Sequence, residues 1–148
     1  MKRILFLAVL SALFVGCSKQ QPTLTLALTG MDAEDSVIVY NTGITDGFRN
    51  AQVDTLAIPN GNLSIPMTGD SARSYKIYKL PRRYPDGTME AMSMVGINVP
   101  VMPGADIKVE GDFSNHTITG SIPFYKDLDL IYSHIKPFTE KSMQAARA

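Results

Sequence analysis

The amino-acid sequence predicts a mainly β protein, an antiparallel β-sandwich or a partly open barrel with a C-terminal α-helix. Three observations favour this fold. Apolar and polar residues alternate from residue 23 onward, short apolar runs are separated by glycine, proline and asparagine, and the apolar period lengthens to that of a helix after residue 120. We therefore expect a β domain over residues 23–120 and a helical segment over residues 121–148.

The first two strands are predicted from different patterns. Leu24, Leu26 and Leu28 alternate with threonine and alanine, which is typical of a strand with one buried face. Residues 36–40 form a run of β-branched and aromatic side chains that suits a second strand. The polar residues 30–35 between the two runs predict a turn.

A β-hairpin is the clearest local prediction. The alternating runs over residues 53–58 and 63–67 flank Asn60-Gly61, a pair that tolerates the positive φ of hairpin turns. The apolar residues of the two runs can share one face, so we expect these strands to pair with each other. Pro66 has no N–H to donate, which places the second strand at a sheet edge or a bulge.

Further strands are predicted over residues 74–80, 92–101 and 105–110, with a loop over residues 81–88. The helix is predicted from apolar side chains at helical spacing, namely Phe124, Leu128, Ile131, Tyr132 and Ile135. Ser121 offers an N-terminal cap and Pro123 suits the first turn. We expect Pro137 to stop or kink the helix.

The N-terminus has the pattern of a bacterial signal peptide. Lys2 and Arg3 precede an uncharged apolar run over residues 4–15, shorter than the about 20 residues of a membrane-spanning helix. The end of this run and the two residues after it, FVGC at positions 14–17, resemble the lipobox of bacterial lipoproteins. The resemblance implies a signal peptide over residues 1–16, cleavage between Gly16 and Cys17, a lipidated Cys17, and a flexible tether over residues 17–22. The alternatives are an ordinary secretory signal with an accidental cysteine, or a buried apolar thiol.

Composition narrows the function classes. The chain has 14 basic and 14 acidic residues, so no basic excess attracts nucleic acid. Cys17 is the only cysteine, which excludes a disulfide framework. A thioether at Cys17 would also prevent its sulfur from acting as a nucleophile or a metal ligand. We expect no cofactor apart from this covalent lipid.

Two segments carry a family resemblance. Residues 53–65 (VDTLAIPNGNLSI) and 102–121 (MPGADIKVEGDFSNHTITGS) resemble the domain of unknown function that precedes thioredoxin-like domains in many Bacteroidetes lipoproteins. The resemblance covers about residues 24–136, and it implies a following thioredoxin fold with a Trp-Cys-x-x-Cys motif. This chain has no tryptophan and no second cysteine. It is therefore expected to be either a freestanding β lipoprotein or a product truncated before the thioredoxin-like half.

Candidate site residues are few. Three methionines lie close together in the sequence, Met89, Met92 and Met94, and their thioethers could bind Cu(I). The alternative is a role in core packing, because methionine also fills gaps in cores and no histidine is nearby. A ligand groove could be lined by Tyr75, Tyr78, Tyr84 and Met92. His116, on an expected strand, and His134, near the expected end of the helix, lack the paired spacing of zinc sites. No Gly-x-Ser-x-Gly motif indicates a serine nucleophile.

We therefore expect a non-enzymatic lipoprotein of the bacterial cell envelope, anchored to the outer membrane and facing the periplasm. Its β domain would serve as an interaction or positioning module. The alternative is an accessory or truncated N-terminal part of a thiol-disulfide oxidoreductase system. The expected partners are the membrane, through the lipid, and a thioredoxin-like or other envelope protein.

Overall fold

The computed structural model describes residues 21–44, 50–67, 69–91 and 93–145, so the predicted signal peptide and Cys17 lie outside the described residues. The elements are β1 (Thr23–Leu28), β2 (Ser36–Gly43), β3 (Gln52–Ala57), β4 (Asn62–Pro66), β5 (Arg73–Lys79), β6 (Gly96–Val101), β7 (Ile107–Gly111), β8 (His116–Gly120) and α1 (Phe124–Ala145). A short 3-10 turn, Pro59–Gly61, connects β3 to β4. The predicted mainly β fold with a C-terminal helix is confirmed.

The strands form two four-stranded sheets, one with the order β4-β1-β7-β8 and the other with the order β3-β2-β5-β6. We call them the first and the second sheet. Neither closes into a barrel, so the sandwich is the correct one of the two predicted architectures. One pairing departs from the antiparallel prediction, because β1 and β7 are parallel. The chain crosses from the second sheet to the first between β6 and β7, and β7 therefore starts at the same end as β1.

The predicted hairpin is wrong. β3 pairs with β2 in the second sheet, whereas β4 pairs with β1 in the first. The turn itself has the expected conformation, with φ of 52° at Asn60 and 79° at Gly61, but it carries the chain from one sheet to the other. Leu56 of β3 and Leu63 of β4 are each partly buried against the same core. Alternating apolar residues therefore show which face of a strand turns toward the core. They do not show which neighbour supplies the hydrogen bonds.

The core lies between the sheets. The predicted buried face of β1 is confirmed, because Leu24 and Leu26 are 0% exposed and Leu28 is 3% exposed. Val37, Ile77 and other β-branched residues of the second sheet pack opposite them. The strand predicted over residues 92–101 begins only at Gly96. Gly96 is required there because the ring of Tyr78 occupies the space that a Cβ would take.

The sandwich has two distinct ends. At the entry end, where β1 and β7 begin, the N–H of Met67 donates to the carbonyl of Pro22 at 2.8 Å. The N–H of Thr23 donates to Asp106 Oδ1 at 2.9 Å. The opposite end, which we call the loop end, carries the segments 29–35 and 80–95. The chain therefore enters the sandwich at a fixed point, remote from the loop end.

The helix α1 starts at the entry end and packs against β8. Tyr125 is 1% exposed, and its hydroxyl donates to the carbonyl of Pro100 at 2.9 Å and accepts from the N–H of Met102 at 3.2 Å. Ser121 does not cap the helix, because its Oγ accepts from the N–H of Asp106. Pro137 does not end the helix, which continues to Ala145.

Candidate functional site

The most deeply buried charge in the described part of the chain is Asp35, whose side chain is 1% exposed. It lies at the loop end, directly before β2. Its carboxylate is 2.6 Å from Arg82 Nη2 and 3.5 Å from Lys79 Nζ. It also accepts a hydrogen bond of 2.8 Å from the N–H of Asp32. Buried carboxylates are costly unless they are paired in this way.

The turn over residues 32–35 places this carboxylate. The N–H of Asp35 donates to the carbonyl of Asp32 at 3.3 Å, while the Asp35 side chain accepts from the Asp32 N–H. These reciprocal bonds close the turn, as aspartate side chains commonly do. The carbonyl of Asp35 then accepts from the N–H of Ile58 at 2.9 Å, which extends the β2–β3 ladder by one pair.

The predicted loop over residues 81–88 contains a short hairpin. The N–H of Glu90 donates to the carbonyl of Arg82 at 2.8 Å, and the N–H of Tyr84 donates to the carbonyl of Thr88 at 2.8 Å. Asp86 accepts from the N–H of Thr88 at 2.9 Å and closes the tip. The hairpin brings Arg82 and Glu90 side by side, although they are separate in sequence.

Five charges therefore meet at the loop end, and we call them the ion cluster: Asp32, Asp35, Lys79, Arg82 and Glu90. Besides its bond to Asp35, Arg82 Nη2 is 2.7 Å from Asp32 Oδ2. Glu90 Oε1 is 3.0 Å from Lys79 Nζ. The cluster ties the hairpin to the turn that precedes β2, so its first effect is to fix the shape of the loop end.

The pKa shifts of Asp35, Lys79 and Glu90 in the ion cluster all favour the charged form of the side chain. Burial raises the pKa of Asp35, but the hydrogen bonds from Arg82 and the Asp32 amide and the charge of Lys79 outweigh it, so that the pKa is lowered. Burial lowers the pKa of Lys79, but the hydrogen bond to Glu90 and the charge of Asp35 raise it overall. The hydrogen bond from Lys79 lowers the pKa of Glu90. These groups therefore stay paired and charged at neutral pH.

A concavity of about 310 Å³ lies beside the ion cluster, lined by Glu34, Asp35, Ser36, Leu80, Pro81, Arg82 and Arg83. The buried Nε of Arg82 has no hydrogen-bond partner among the described groups. The charged ends of Arg82 and Asp35 are already paired with each other. The arrangement is thus suited to holding loops in place, and it presents no activated nucleophile.

The tyrosines of the predicted groove do not meet. Tyr75 faces the core, is 5% exposed, and its hydroxyl accepts from Asn41 at 3.2 Å. Tyr78 lies on the outer face of the second sheet, where its ring stacks edge-on against Tyr40 at 6.0 Å. Tyr84 is 42% exposed in the hairpin. Residues three apart in a strand point to opposite faces, which separates Tyr75 from Tyr78. Met92, the fourth predicted residue, lies outside the described residues.

The predicted Cu(I) ligands are only partly placed. Met89 is 64% exposed and Met94 is 83% exposed, and neither belongs to β6. Met92, the third, is the residue that is not described. The described residues contain no group of three or more His, Cys, Asp or Glu side chains that could hold a metal ion.

The two histidines lie in different elements, His116 in β8 and His134 in α1. His116 begins β8, as predicted, and burial lowers its pKa. His134 lies in the middle of α1, where its Nδ1 is 2.8 Å from the carbonyl of Leu130, and not near the helix end as predicted. Sequence reasoning missed the ion cluster, since its members are 47 residues apart at the Arg82–Asp35 contact. The one local signal was the dense acidic turn over residues 32–35.

Comparison with known proteins gives no assignment. No protein-family model matches the chain, and no curated protein or solved structure matches it. Among the helices of the described part, none combines the length and the apolar character needed to cross a membrane.

Proposed function

We propose that this chain is a lipoprotein of the bacterial cell envelope, anchored through Cys17 to the outer membrane and facing the periplasm. Its sandwich acts there as a non-catalytic interaction or positioning module. The proposal rests on the sequence pattern at residues 1–17 and on the way the chain enters the sandwich.

The observation that carries the proposal is the entry point of the chain. Residues 18–22 alone separate Cys17 from Thr23, so the tether spans at most about 20 Å when fully extended. Pro22 and Thr23 are already fixed at the entry end by Met67 and Asp106. A lipid on Cys17 would therefore hold the entry end near the membrane surface and direct the loop end away from it.

In this orientation the ion cluster would lie on the side of the module that meets partners. A module that meets partners away from the membrane benefits from loops of fixed shape, because a surface that is already ordered loses less entropy on binding. The cluster holds the hairpin with Tyr84 and Met89, both exposed, at the end remote from the tether.

The test is the intact mass of the chain recovered from bacterial membranes. We expect a polypeptide that starts at Cys17 and carries covalent acyl chains. Cys17→Ser should retain the leader and lose the lipid, whereas the neighbouring control Ser18→Ala should be processed normally. A wild-type chain with a free thiol at Cys17, or with residues 1–16 still attached, would overturn the proposal.

A second candidate function follows from the resemblance to the domain that precedes thioredoxin-like domains. In this case the chain is an accessory or truncated N-terminal part of a thiol-disulfide oxidoreductase system. The observation that favours it lies on α1, where Leu130 is 60% exposed and Ile131 is 52% exposed. Apolar residues of a helix that leaves the sandwich suit packing against another protein surface. A photo-cross-linker at residue 131 should then capture a thioredoxin-like protein in envelope preparations. Reading the DNA after codon 148 for a Trp-Cys-x-x-Cys frame tests the truncated form.

A further inference from the structure

The described methionine side chains fall into two classes of exposure. Met94 is 83% exposed and Met89 is 64% exposed, whereas Met31 and Met67 are 9% and 7% exposed and belong to the core. Met102 is partly buried against the same core. The two exposed side chains are neither in the core nor packed against it, so they do not stabilise it by burial.

Both exposed thioethers lie at the loop end, and the backbone around Met89 is fixed. The N–H of Tyr84 donates to the carbonyl of Thr88 at 2.8 Å, and the N–H of Glu90 donates to the carbonyl of Arg82 at 2.8 Å. Neither these bonds nor the ion pairs of the ion cluster involve a sulfur atom. A chemical change at the exposed sulfurs therefore leaves the contacts that hold the hairpin in place.

Methionine supplies all the sulfur that an oxidant can reach in the sandwich, because residues 18–148 contain no cysteine. Hydrogen peroxide oxidises a thioether to a sulfoxide. The sulfur attacks one peroxide oxygen, the O–O bond breaks and an S–O bond forms. The proton of the transferred oxygen moves to the departing hydroxide, which leaves as water. The sulfur loses two electrons and the peroxide gains them.

We infer that Met89 and Met94 form a peroxide-reactive site, at which hydrogen peroxide produces methionine sulfoxides while the sandwich stays folded. Arg83 lies directly opposite Met89 across an isolated antiparallel bridge, and side chains in that position are within reach of each other. Arg83 forms no ion pair with a described residue. Its guanidinium can donate to the sulfoxide oxygen, whereas the thioether is only a weak acceptor.

The buried methionines predict the opposite effect on the fold. A sulfoxide at Met31 or Met67 would place a polar oxygen in the core, which is costly unless the oxygen accepts a hydrogen bond. The exposed pair is thus the place where oxidation is compatible with the fold. Under the proposed function the loop end meets partners, so sulfoxides there would make the partner-facing surface more polar. This last step rests on the proposed function, whereas the oxidation itself does not.

The test is peptide mapping by mass spectrometry of the full chain, recovered from bacterial cells in detergent and treated with hydrogen peroxide. Fragment ions assign each added oxygen to one methionine. Met89 and Met94 should be oxidised about tenfold faster than Met31 and Met67, in line with their exposure. In guanidinium chloride, where the fold is lost, the four rates should become similar. Conversion of Met89 and Met94 should change the melting temperature by less than about 2 °C.

The matched variant carries Met89→Leu and Met94→Leu, which should remove the fast oxidation and leave the rates at Met31 and Met67 unchanged. Oxidation of Met31 or Met67 in the folded chain as fast as Met94 would overturn the inference, and so would a rate difference that persists in the denaturant. A fall in melting temperature of more than about 5 °C after conversion of Met89 and Met94 alone would overturn the retention of the fold. These measurements use neither Cys17 nor a partner, so failure of the lipid anchor leaves them unaffected.

Discussion

Substitution of Tyr125 by phenylalanine tests how the helix is attached to the sandwich. The change removes only the hydroxyl and keeps the ring over Gly120. Two hydrogen bonds are lost, the donation to Pro100 at 2.9 Å and the acceptance from Met102 at 3.2 Å. A buried group left without its partner costs about 1–3 kcal/mol. Because water can reach these partly buried backbone groups, we expect a total loss of about 2 kcal/mol in the free energy of unfolding.

The measurement is urea unfolding at pH 7 followed by circular dichroism. The midpoint should fall while the slope with urea stays unchanged, since the surface exposed on unfolding is the same. The melting temperature should fall by about 8 °C, at roughly 4 °C per kcal/mol for a domain of this size. Tyr84→Phe is the matched control, because Tyr84 is 42% exposed, and its effect should stay within about 0.5 kcal/mol.

Tyr125→Phe should also change how the free energy of unfolding depends on pH above about 10. Burial raises the pKa of Tyr125 above that of a free tyrosine. A group with a raised folded-state pKa stabilises the fold below its unfolded pKa of about 10, and this contribution is lost as the pH rises further. The wild type should therefore lose more stability above pH 10 than Tyr125→Phe does. A Tyr125→Phe chain as stable as the wild type at pH 7 would refute the role of this hydroxyl in holding β6.

Two further predictions concern the loop end and a turn. Arg82→Met should lower the melting temperature at pH 7, because it leaves the buried Asp35 without its nearest partner. The pKa of Asp35 is lowered in the wild type, so the wild type loses this stabilisation below about pH 4 and the gap should narrow there. Gly61→Ala should cost more than the about 1–2 kcal/mol of Gly104→Ala, since both have positive φ but only a Cβ at 61 would overlap the backbone of Leu28.

Each of these predictions has its own control. For the ion cluster it is Lys108→Met, which breaks an ion pair with Glu110 whose side chains are 52% and 48% exposed, and which should leave the melting temperature nearly unchanged. A gap between Arg82→Met and wild type that stays constant from pH 7 to pH 3 would contradict the assignment of Asp35. Equal losses for the two glycine variants would contradict the close approach at Gly61.

The sequence by itself determined the class of fold and much of its local structure. The alternation at Leu24, Leu26 and Leu28 is a property of one strand, and it predicted the buried face correctly. Asn60-Gly61 predicted positive φ, and Pro66 predicted an edge strand, because both depend on covalent geometry at one position. The pattern at residues 1–17 likewise predicts an anchor from adjacent residues alone.

Only the tertiary structure decided which strands pair and which charges meet. β4 could bury its apolar face beside β3 or beside β1, and the alternating pattern is identical in both cases. Two distant loops bring Asp35 and Arg82 together, and the hydroxyl of Tyr125 donates to the carbonyl of Pro100 although 25 residues separate them. Burial patterns act along the chain, whereas pairing depends on how separate segments pack in space.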